Sequence, residues 1–529
     1  MVSAQHDTTT TPTMESEKDL RSPSFTTTDD PPPSQQEEPM QQPRDGGEKE
    51  KNNAPPAQQQ QQQQQRRTEE EFKEGGYGWV VVAATFFLNA HTWGLNSSYA
   101  VFLAYYLRTD AFHTSAIAYA FVGGLSVSIA LLISPLATFM AGHKRIGTRG
   151  TIFAGVILEF IGFLGSSFAA KLWHLILSQG VSFGLGMGLI FVASAPVSAQ
   201  WFRRKRSLAN GWTASGSGFG GMAYSLATNA LIERIGLAWT FRALALICLV
   251  VNGVAGLFIR DRNHAVGSVH VAFNLSLFRR PSFVLFQTWL VLSILGYTIL
   301  VFSIVAYCQA IGLSAAQASL VGALFNLGQG LGRPAVGLSS DVAGRLNVAN
   351  LCTLWCSILC YFVWIFGART YAGCIVFALL SGTVAGVMWA AVSPICAEVV
   401  GLAMIPSALS ITWLVLVLPA TFAEVIGLSL RKDSLGTWSY RDVQLFSASM
   451  YLAAFVFGWM LRAWKVWELE RAHLSAEERE RAITDDAVVV RTSSHLADGG
   501  GQLHRLPSRA STVKEKVLHL RGLWAVVKV

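Results

Sequence analysis

Charged residues are scarce in this chain of 529 residues, because Asp, Glu, Lys and Arg together make up only 14% of it. An ordinary soluble domain carries about 25%. The charges are also unevenly spread. Residues 1–73 and 466–529 are polar and charged, whereas the part between them consists largely of apolar runs. This distribution excludes an ordinary soluble protein and predicts a protein that crosses a membrane several times.

Strict alternation of apolar and polar residues is missing from these runs. Strands of a membrane barrel alternate in this way and need only about ten residues. A helix needs about twenty apolar residues to cross the hydrocarbon core, and the runs have that length. Only helices and closed barrels satisfy the backbone polar groups in lipid. The sequence therefore predicts an all-α integral membrane protein. Its first residues lack the pattern of a signal peptide, so we expect the first apolar helix to direct insertion.

Motifs for metal, nucleotide or covalent chemistry are also missing. Cys352, Cys356 and Cys360 share one predicted helix face, but no histidine accompanies them, and we expect small buried thiols rather than a metal site. The glycines of "GLGMGL" (184–189) and "GSGFGG" (216–221) lack the strand–turn–helix context of a nucleotide loop. We interpret them as packing faces of helices. We therefore expect no cofactor, no metal, no nucleic-acid partner and no enzyme activity.

The apolar runs predict twelve transmembrane helices, six on each side of a central connection. The predicted spans are 77–103, 115–140, 150–169, 172–200, 207–232, 237–259, 283–311, 314–338, 349–369, 371–398, 404–430 and 443–464. The predicted domains are an N-terminal tail (1–73), a first half (74–259), a central loop (260–282), a second half (283–465) and a C-terminal tail (466–529). The first tail has too little apolar surface to fold.

The loops between the predicted helices fall into two sets of different charge. One set contains "GHKRIGTRG" (142–150), "FRRKRS" (202–207) and the basic central loop. Basic loops favour the cytoplasmic side of a membrane. We therefore predict that both termini are cytoplasmic, although the basic segment 431–442 on the other side goes against the trend. We expect the plasma membrane as the location, with the vacuolar membrane as the alternative.

Four stretches then carry a resemblance to a known family. "GLSSDVAGR" (337–345) resembles the loop signature of the major facilitator superfamily. "EGGYGWVVV" (74–82), the segment 199–221 and "GRP" (Gly332–Pro334) are similar to its monocarboxylate-porter-like branch, and most similar to the fungal members. The resemblance covers roughly residues 74–465. It implies a secondary transporter of two six-helix halves that moves a small organic solute by alternating access, in the lipid bilayer and with proton co-transport as an option. It also implies that Asp341, Gly344 and Arg345 brace helix ends on the cytoplasmic side.

The chain departs from the animal carboxylate carriers of that family at two places. Those carriers keep an aspartate four residues before the arginine of helix 8, where this chain has Gln329. They also carry a lysine toward the outer end of helix 1, where this chain has Asn96 and Ser97. These departures favour export of a secondary metabolite over proton-coupled uptake of a monocarboxylate or vitamin-like nutrient. A transport-dead nutrient sensor is a third alternative.

Arg333 is the first candidate for solute binding. At 100° per residue, Asn326 lies about 20° and Gln329 about 40° from it on the helix surface. We predict that this polar stripe faces a central cavity and binds an anionic or carbonyl-rich solute. The alternative is an arginine that braces the end of the helix, since the predicted span ends within two turns of it.

Helix 1 carries a second polar stripe. Asn89 and Asn96 are seven residues apart, and Trp93 lies between them. Their amide and indole groups can orient a solute without a charge, or they can form hydrogen bonds between helices. We interpret the neighbouring His91 as a packing residue.

Two carboxyl groups lie within predicted helices. Glu159 is near the middle of helix 3, and Glu424 is in the outer half of helix 11. Ionisable residues inside membrane spans often serve proton transfer. Both are therefore candidates for proton coupling, and the alternative for each is a protonated or paired glutamate that only links helices.

Overall fold

The computed structural model describes residues 75–109 and 112–495. This part of the chain is almost entirely helical, which confirms the predicted all-α architecture. The helices in chain order are α1 (77–109), α2 (116–142), α3 (Gly147–Ser166), α4 (Leu172–Trp201), α5 (206–235), α6 (237–258), α7 (Pro281–Ala310), α8 (Ala315–Ala343), α9 (Arg345–Gly367), α10 (Tyr371–Val400), α11 (Ile405–Leu430) and α12 (Arg441–His495). The predicted tail 1–73 and the residues after 495 lie outside the described part.

Length and hydropathy allow most of these helices to cross a membrane. Eight helices in the described ranges are long and apolar enough, or nine if the two segments of α2, bent by 40°, count as one span. In this count α5 and α6 form a single helix, and neither α1, which is interrupted, nor α8 is included. The polar residues of α8 that set it apart are those of the predicted site.

Short polar side chains fix where several helices begin. Ser115 accepts a hydrogen bond from the backbone N–H of Ala118 at the start of α2. Ser314 and Gln317 form a reciprocal pair of such bonds at the start of α8. Such caps satisfy backbone N–H groups that have no partner within the helix. α2 and α8 therefore begin where the sequence supplies a cap.

Local interruptions divide several of the helices. The segment Ala90–Gly94 of α1 is π-helical, and so are residues 176–182 of α4 and 359–367 of α9. The boundary between α5 and α6 is a single glycine, Gly236, with a φ of 78° that side-chain-bearing residues rarely adopt. The predicted loop at 233–236 is therefore wrong, because the helical conformation resumes directly after this glycine.

Three helix ends lie well beyond their predicted positions, and the first is that of α1, which ends at 109 rather than at 103. α8 continues to Ala343 rather than ending at 338, and α12 continues to His495 rather than ending at 464. Arg333 is therefore ten residues from the end of α8, or about 15 Å at 1.5 Å per residue. The expectation that it lies within two turns of that end is wrong. It lies close to the middle of the helix.

The main apolar core joins residues from both halves of the sequence. Its buried members include Leu131 and Phe191 from the first half and Trp289 and Trp413 from the second. Between α5 and α8 the backbones themselves touch, because a Cβ on Gly218 would lie only 2.9 Å from the Cα of Gly330. Small residues permit such close approach of helices in membranes.

The ends of the helices that carry the basic loops form one side of the molecule, which we call the basic side. There the central segment runs along the start of α11. The backbone N–H of Val269 donates to Ala403 O at 2.8 Å, and that of Val271 donates to Ser407 Oγ at 2.8 Å. The chain segment that links the two halves is thus fixed to the second half by hydrogen bonds.

Candidate functional site

The polar stripe of α8 is a connected chain of hydrogen bonds. Gln329 Nε2 donates to Asn326 Oδ1 at 3.2 Å, and Arg333 Nη2 donates to Gln329 Oε1 at 2.5 Å. The same oxygen accepts from the hydroxyl group of Tyr297 in α7 at 2.8 Å. Gln329 and Arg333 are 2% and 4% exposed. The three predicted residues are therefore brought together, and a tyrosine that sequence reasoning did not single out joins them.

The guanidinium group of Arg333 faces α5. Its Nη1 donates to Ala214 O at 2.7 Å and also to the hydroxyl group of Ser217. A Cβ on Gly386 would lie 2.9 Å from Nη2 and 3.2 Å from Nε of the same arginine. This glycine interrupts α10 between its two helical segments. α10 thus passes the charged group without a side chain of its own at this position.

Five aromatic rings from five helices form a connected group, and one of them, Tyr297, contacts the polar stripe of α8. Trp389 of α10 is the shared member, with ring centroids 5.4 Å from Trp93 of α1 and 5.8 Å from Trp413 of α11. It is also 6.3 Å from Tyr297, which contacts Gln329. Phe191 of α4 lies 5.3 Å from Trp93 and 5.0 Å from Trp413. We call these five residues the aromatic cluster.

In the polar stripe and the aromatic cluster, three buried N–H groups lack a hydrogen-bond partner among the described residues. They are Nε of Arg333 and the indole Nε1 atoms of Trp93 and Trp413. All three are donors, and none can accept. An unpaired buried donor costs about 1–3 kcal/mol. The site is therefore chemically suited to a ligand that supplies acceptor atoms.

Asn89 and Asn96 of the predicted site form hydrogen bonds between helices. Asn89 Nδ2 donates to Thr213 O of α5 at 3.0 Å. Asn96 Oδ1 accepts from Ser126 Oγ of α2 at 2.9 Å. The sequence left two roles open for them, solute binding and hydrogen bonding between helices, and these contacts are of the second kind. Of the stripe on α1, Trp93 is the residue that reaches the aromatic cluster.

The structure describes the side chain of one of the two predicted proton-coupling residues. Glu159 is fully buried in α3, and its Oε2 accepts from Asn252 Nδ2 of α6 at 2.7 Å. Glu424 belongs to α11, but its side chain lies outside the described part. Asn252 is 93 residues from Glu159, so no local sequence signal marked it as a partner.

The residues Asp341, Gly344 and Arg345 lie where α8 meets α5 on the basic side. The two carboxylate oxygens of Asp341 accept from the backbone N–H groups of Ser207 at 3.0 Å and Leu208 at 2.8 Å. A negative charge at a helix N-terminus is favourable because of the helix dipole. The signature aspartate of the second half thus caps a helix of the first half.

Arg345 adds an ion pair to this contact. Its Nη1 lies 2.9 Å from Oε1 of Glu398 in α10, and its Nε donates to Ser207 Oγ at 3.0 Å. Gly344, with a φ of 101°, provides the turn that a side chain would strain. Glu398 was not singled out from the sequence, because nothing in the sequence pairs it with a residue 53 positions away.

Comparison with known proteins gives a consistent family. The Major Facilitator Superfamily model matches residues 82–310. A relative named "Probable transporter MCH2" from Saccharomyces cerevisiae is 31% identical, over 77% of this chain and 87% of the relative. An "Agnestins efflux protein AgnL12" from Paecilomyces divaricatus is 24% identical, over 72% and 86%. The human "Monocarboxylate transporter 11" is 28% identical, over 57% and 64%.

A solved structure shows the same fold. The proton:xylose symporter XylE matches with a TM-score of 0.59 over 72% of this chain and 95% of that chain, at 14% identity. The relatives are named as transporters, and the described helices are long and apolar enough to cross a membrane, which together define a multi-pass membrane transporter. The chain belongs to the major facilitator superfamily, and its relatives place it among the fungal, monocarboxylate-transporter-like members.

Proposed function

We propose that the protein exports an anionic or carbonyl-rich secondary metabolite, which binds between the aromatic cluster and Arg333. The observation that carries this proposal is the set of three buried donors without a partner among the described residues, at Arg333, Trp93 and Trp413. A carboxylate or carbonyl oxygen supplies the acceptors that they lack. The aromatic rings supply an apolar surface for the rest of the solute.

In this proposal Arg333 exchanges partners during transport. In the structure, where α5 and α8 are in contact and the basic side is closed by this contact, its Nη1 donates to Ala214 O and Ser217 on α5. When α5 and α8 move apart, these acceptors leave and the solute takes their place. A solute that binds the parted state better shifts the equilibrium toward it. No covalent chemistry is involved, and Asn326 and Gln329 hold the arginine in position.

The relatives support export, because one of them is named as an efflux protein. The alternative is proton-coupled uptake of a monocarboxylate or vitamin-like nutrient, which the name of the human relative favours. Gln329 argues against it, since a neutral amide cannot release the arginine by taking up a proton. The proposed location is the plasma membrane, with the vacuolar membrane as the alternative. The proposed orientation has both termini in the cytoplasm, because basic loops favour that side.

Metabolite profiling of cells and medium tests the proposal. The cells compared are a deletion strain and the same strain with the wild-type chain, Arg333→Ala or Arg333→Lys. We expect an acceptor-rich compound to leave wild-type cells and to remain inside Arg333→Ala cells. Lysine keeps the charge but loses the planar fork of donors, so it should restore only part of the export.

Arg234→Ala is the matched control, because this arginine is exposed near the boundary between α5 and α6. It should export like the wild type. A compound that the wild-type chain accumulates inside cells would establish uptake instead. Equal profiles in all strains would remove the transport proposal and leave the sensor alternative. Normal export by Arg333→Ala at normal expression would exclude Arg333 from the solute site.

A further inference from the structure

Glu159 and Asn252 form a buried pair that the proposed solute site does not use. Both side chains are 0% exposed, and Asn252 Nδ2 donates to Glu159 Oε2 at 2.7 Å. The other oxygen of each group, Glu159 Oε1 and Asn252 Oδ1, has no hydrogen-bond partner among the described residues. The pair therefore leaves two buried acceptors unsatisfied.

A single proton changes this balance. An ionised carboxylate only accepts, whereas a protonated one also has an O–H donor. A proton on Glu159 therefore adds the donor that the pair lacks. Within the described residues no basic side chain forms an ion pair with Glu159. Because an unpaired buried charge is strongly unfavourable, the neutral acid is the form that this environment favours.

Few titratable groups face this pair from the surrounding helices. Tyr224 of α5 and Cys248 of α6 lie within electrostatic range of Glu159. His91 of α1 stacks edge-on against Tyr224, with ring centroids 5.5 Å apart. α4 contributes the backbone of Gly186, and the α2 segment Ser134–Gly142 carries no titratable side chain. His91 thus contributes an imidazole ring to this cluster.

The π-helical segment Ala90–Gly94 connects this cluster with the solute site. The backbone oxygen of His91 accepts from Cys248 Sγ at 3.7 Å, on the side of the pair. Trp93, two residues later, contacts Trp389 of the aromatic cluster. A π-helical turn repeats with one residue more than an α-helical turn and often occurs at functional sites. The segment Ala90–Gly94 therefore contacts both the cluster around Glu159 and the solute site.

We propose that Glu159 and Asn252 form a proton-binding site, that Tyr224 and His91 connect it to α1, and that the segment Ala90–Gly94 couples it to the solute site. The proton site does not depend on the identity of the solute. Its role in driving transport rests on the function proposed above. The ligand of this site is a single proton, which binds to a carboxyl group in an uncharged environment.

Infrared difference spectroscopy on the purified full-length chain tests proton binding without any solute. A titration from mildly acidic to alkaline pH follows the C=O band of protonated carboxyl groups. We expect a band that disappears reversibly at alkaline pH and that is absent from Glu159→Gln. Glu233→Gln, which alters an exposed carboxyl group near the end of α5, should keep it. Asn252→Ala should retain the band at a shifted frequency, because the carboxyl group loses its amide partner.

Two results would overturn the proton site. One is a band that persists at alkaline pH, which would identify a permanently protonated packing residue. The other is a band that is unchanged in both Glu159→Gln and Asn252→Ala. The second variant keeps the test decisive if the first does not fold. Because the readout needs no transport, the export proposal can fail while the proton site stands, and the reverse also holds.

The coupling is tested by the midpoint of the same titration. Removal of the indole in Trp93→Ala should change the proton affinity of Glu159 several-fold, since it perturbs the segment that carries His91. Trp173→Ala is the control, because this tryptophan is 55% exposed at the start of α4. An unchanged midpoint in Trp93→Ala would show that the two sites are independent.

Discussion

Replacing Gly218 with alanine perturbs the place where α5 and α8 touch. A Cβ there would lie 2.5 Å from Gly330 N, 2.8 Å from Asn326 O and 2.9 Å from Gly330 Cα. All three atoms belong to the backbone, so no side-chain rotation can relieve the overlap. Ordinary van der Waals contact begins at 3.4 Å. The two helices must therefore separate by about 1 Å at this crossing.

The energetic cost of this separation can be estimated from overpacked cores. Extra methyl groups in well-packed sites cost about 1–3 kcal/mol. If the whole cost falls on the state in which the basic side is closed, the ratio of closed to open protein falls by about 5- to 150-fold. We expect Gly218→Ala to favour the state that is open on the basic side, and to slow the complete transport cycle.

The variant Ser134→Cys reports this opening at a different contact, which joins α2 to α11. Ser134 is 0% exposed in α2, and its hydroxyl group donates to Ser410 O of α11 at 2.9 Å. In inside-out vesicles, a membrane-impermeant maleimide should label Ser134→Cys faster when Gly218 is alanine. The native cysteines give a low background, since all but the half-buried Cys352 are buried in the described structure.

Gly124→Ala is the matched control, because a Cβ on this α2 glycine meets nothing within 4 Å. It should label at the wild-type rate. Equal labelling rates in Gly218→Ala and Gly124→Ala would refute the reasoning. The contact between α5 and α8 would then not limit opening of the basic side.

Three further predictions concern the basic side and the arginine. Asp341→Asn removes the charge at the start of α5, which contributes about 0.3–1 kcal/mol. It should therefore raise the labelling rate of Ser134→Cys about two- to fivefold. An unchanged labelling rate would contradict the capping role. Gly386→Ala should displace the guanidinium group of Arg333 and reduce export without raising the labelling of Ser134→Cys. Normal export would show that the site does not require a residue without a side chain at position 386. Burial lowers the pKa of His270 below its usual 6.5, so the fixed central segment is stabilised above that pH and loosens as pH falls; limited proteolysis should detect this loosening in the wild type and not in His270→Gln.

The helical architecture was accessible from the sequence because each apolar run has the length of a membrane span. The end of α8 was placed too early because the segment "SSDVA" (339–343) is polar, although it continues the helix. Its last residues are held by contacts of Asp341 with the start of α5. A helix end that depends on a contact 134 residues away cannot be read from local composition.

The same limit applies to the candidate site. The spacing of Asn326, Gln329 and Arg333 placed them on one face of one helix, and they are hydrogen-bonded to one another. Helical periodicity gives no information about which face of another helix lies opposite. The partners Tyr297 and Trp389 therefore became visible only once α7, α8 and α10 were packed together.

The contact between α5 and α8 should respond to ionic strength. At its rim the closure depends on charges, because Arg345, Asp341 and Glu398 are partly exposed at the basic side. Dissolved salt screens such charges over about 8 Å at physiological ionic strength. Deeper in the bundle, Gly218 and Gly330 meet through neutral backbone atoms on which salt has little effect. Rising salt therefore weakens the rim but leaves the middle closed, so that its influence on closure reaches a plateau.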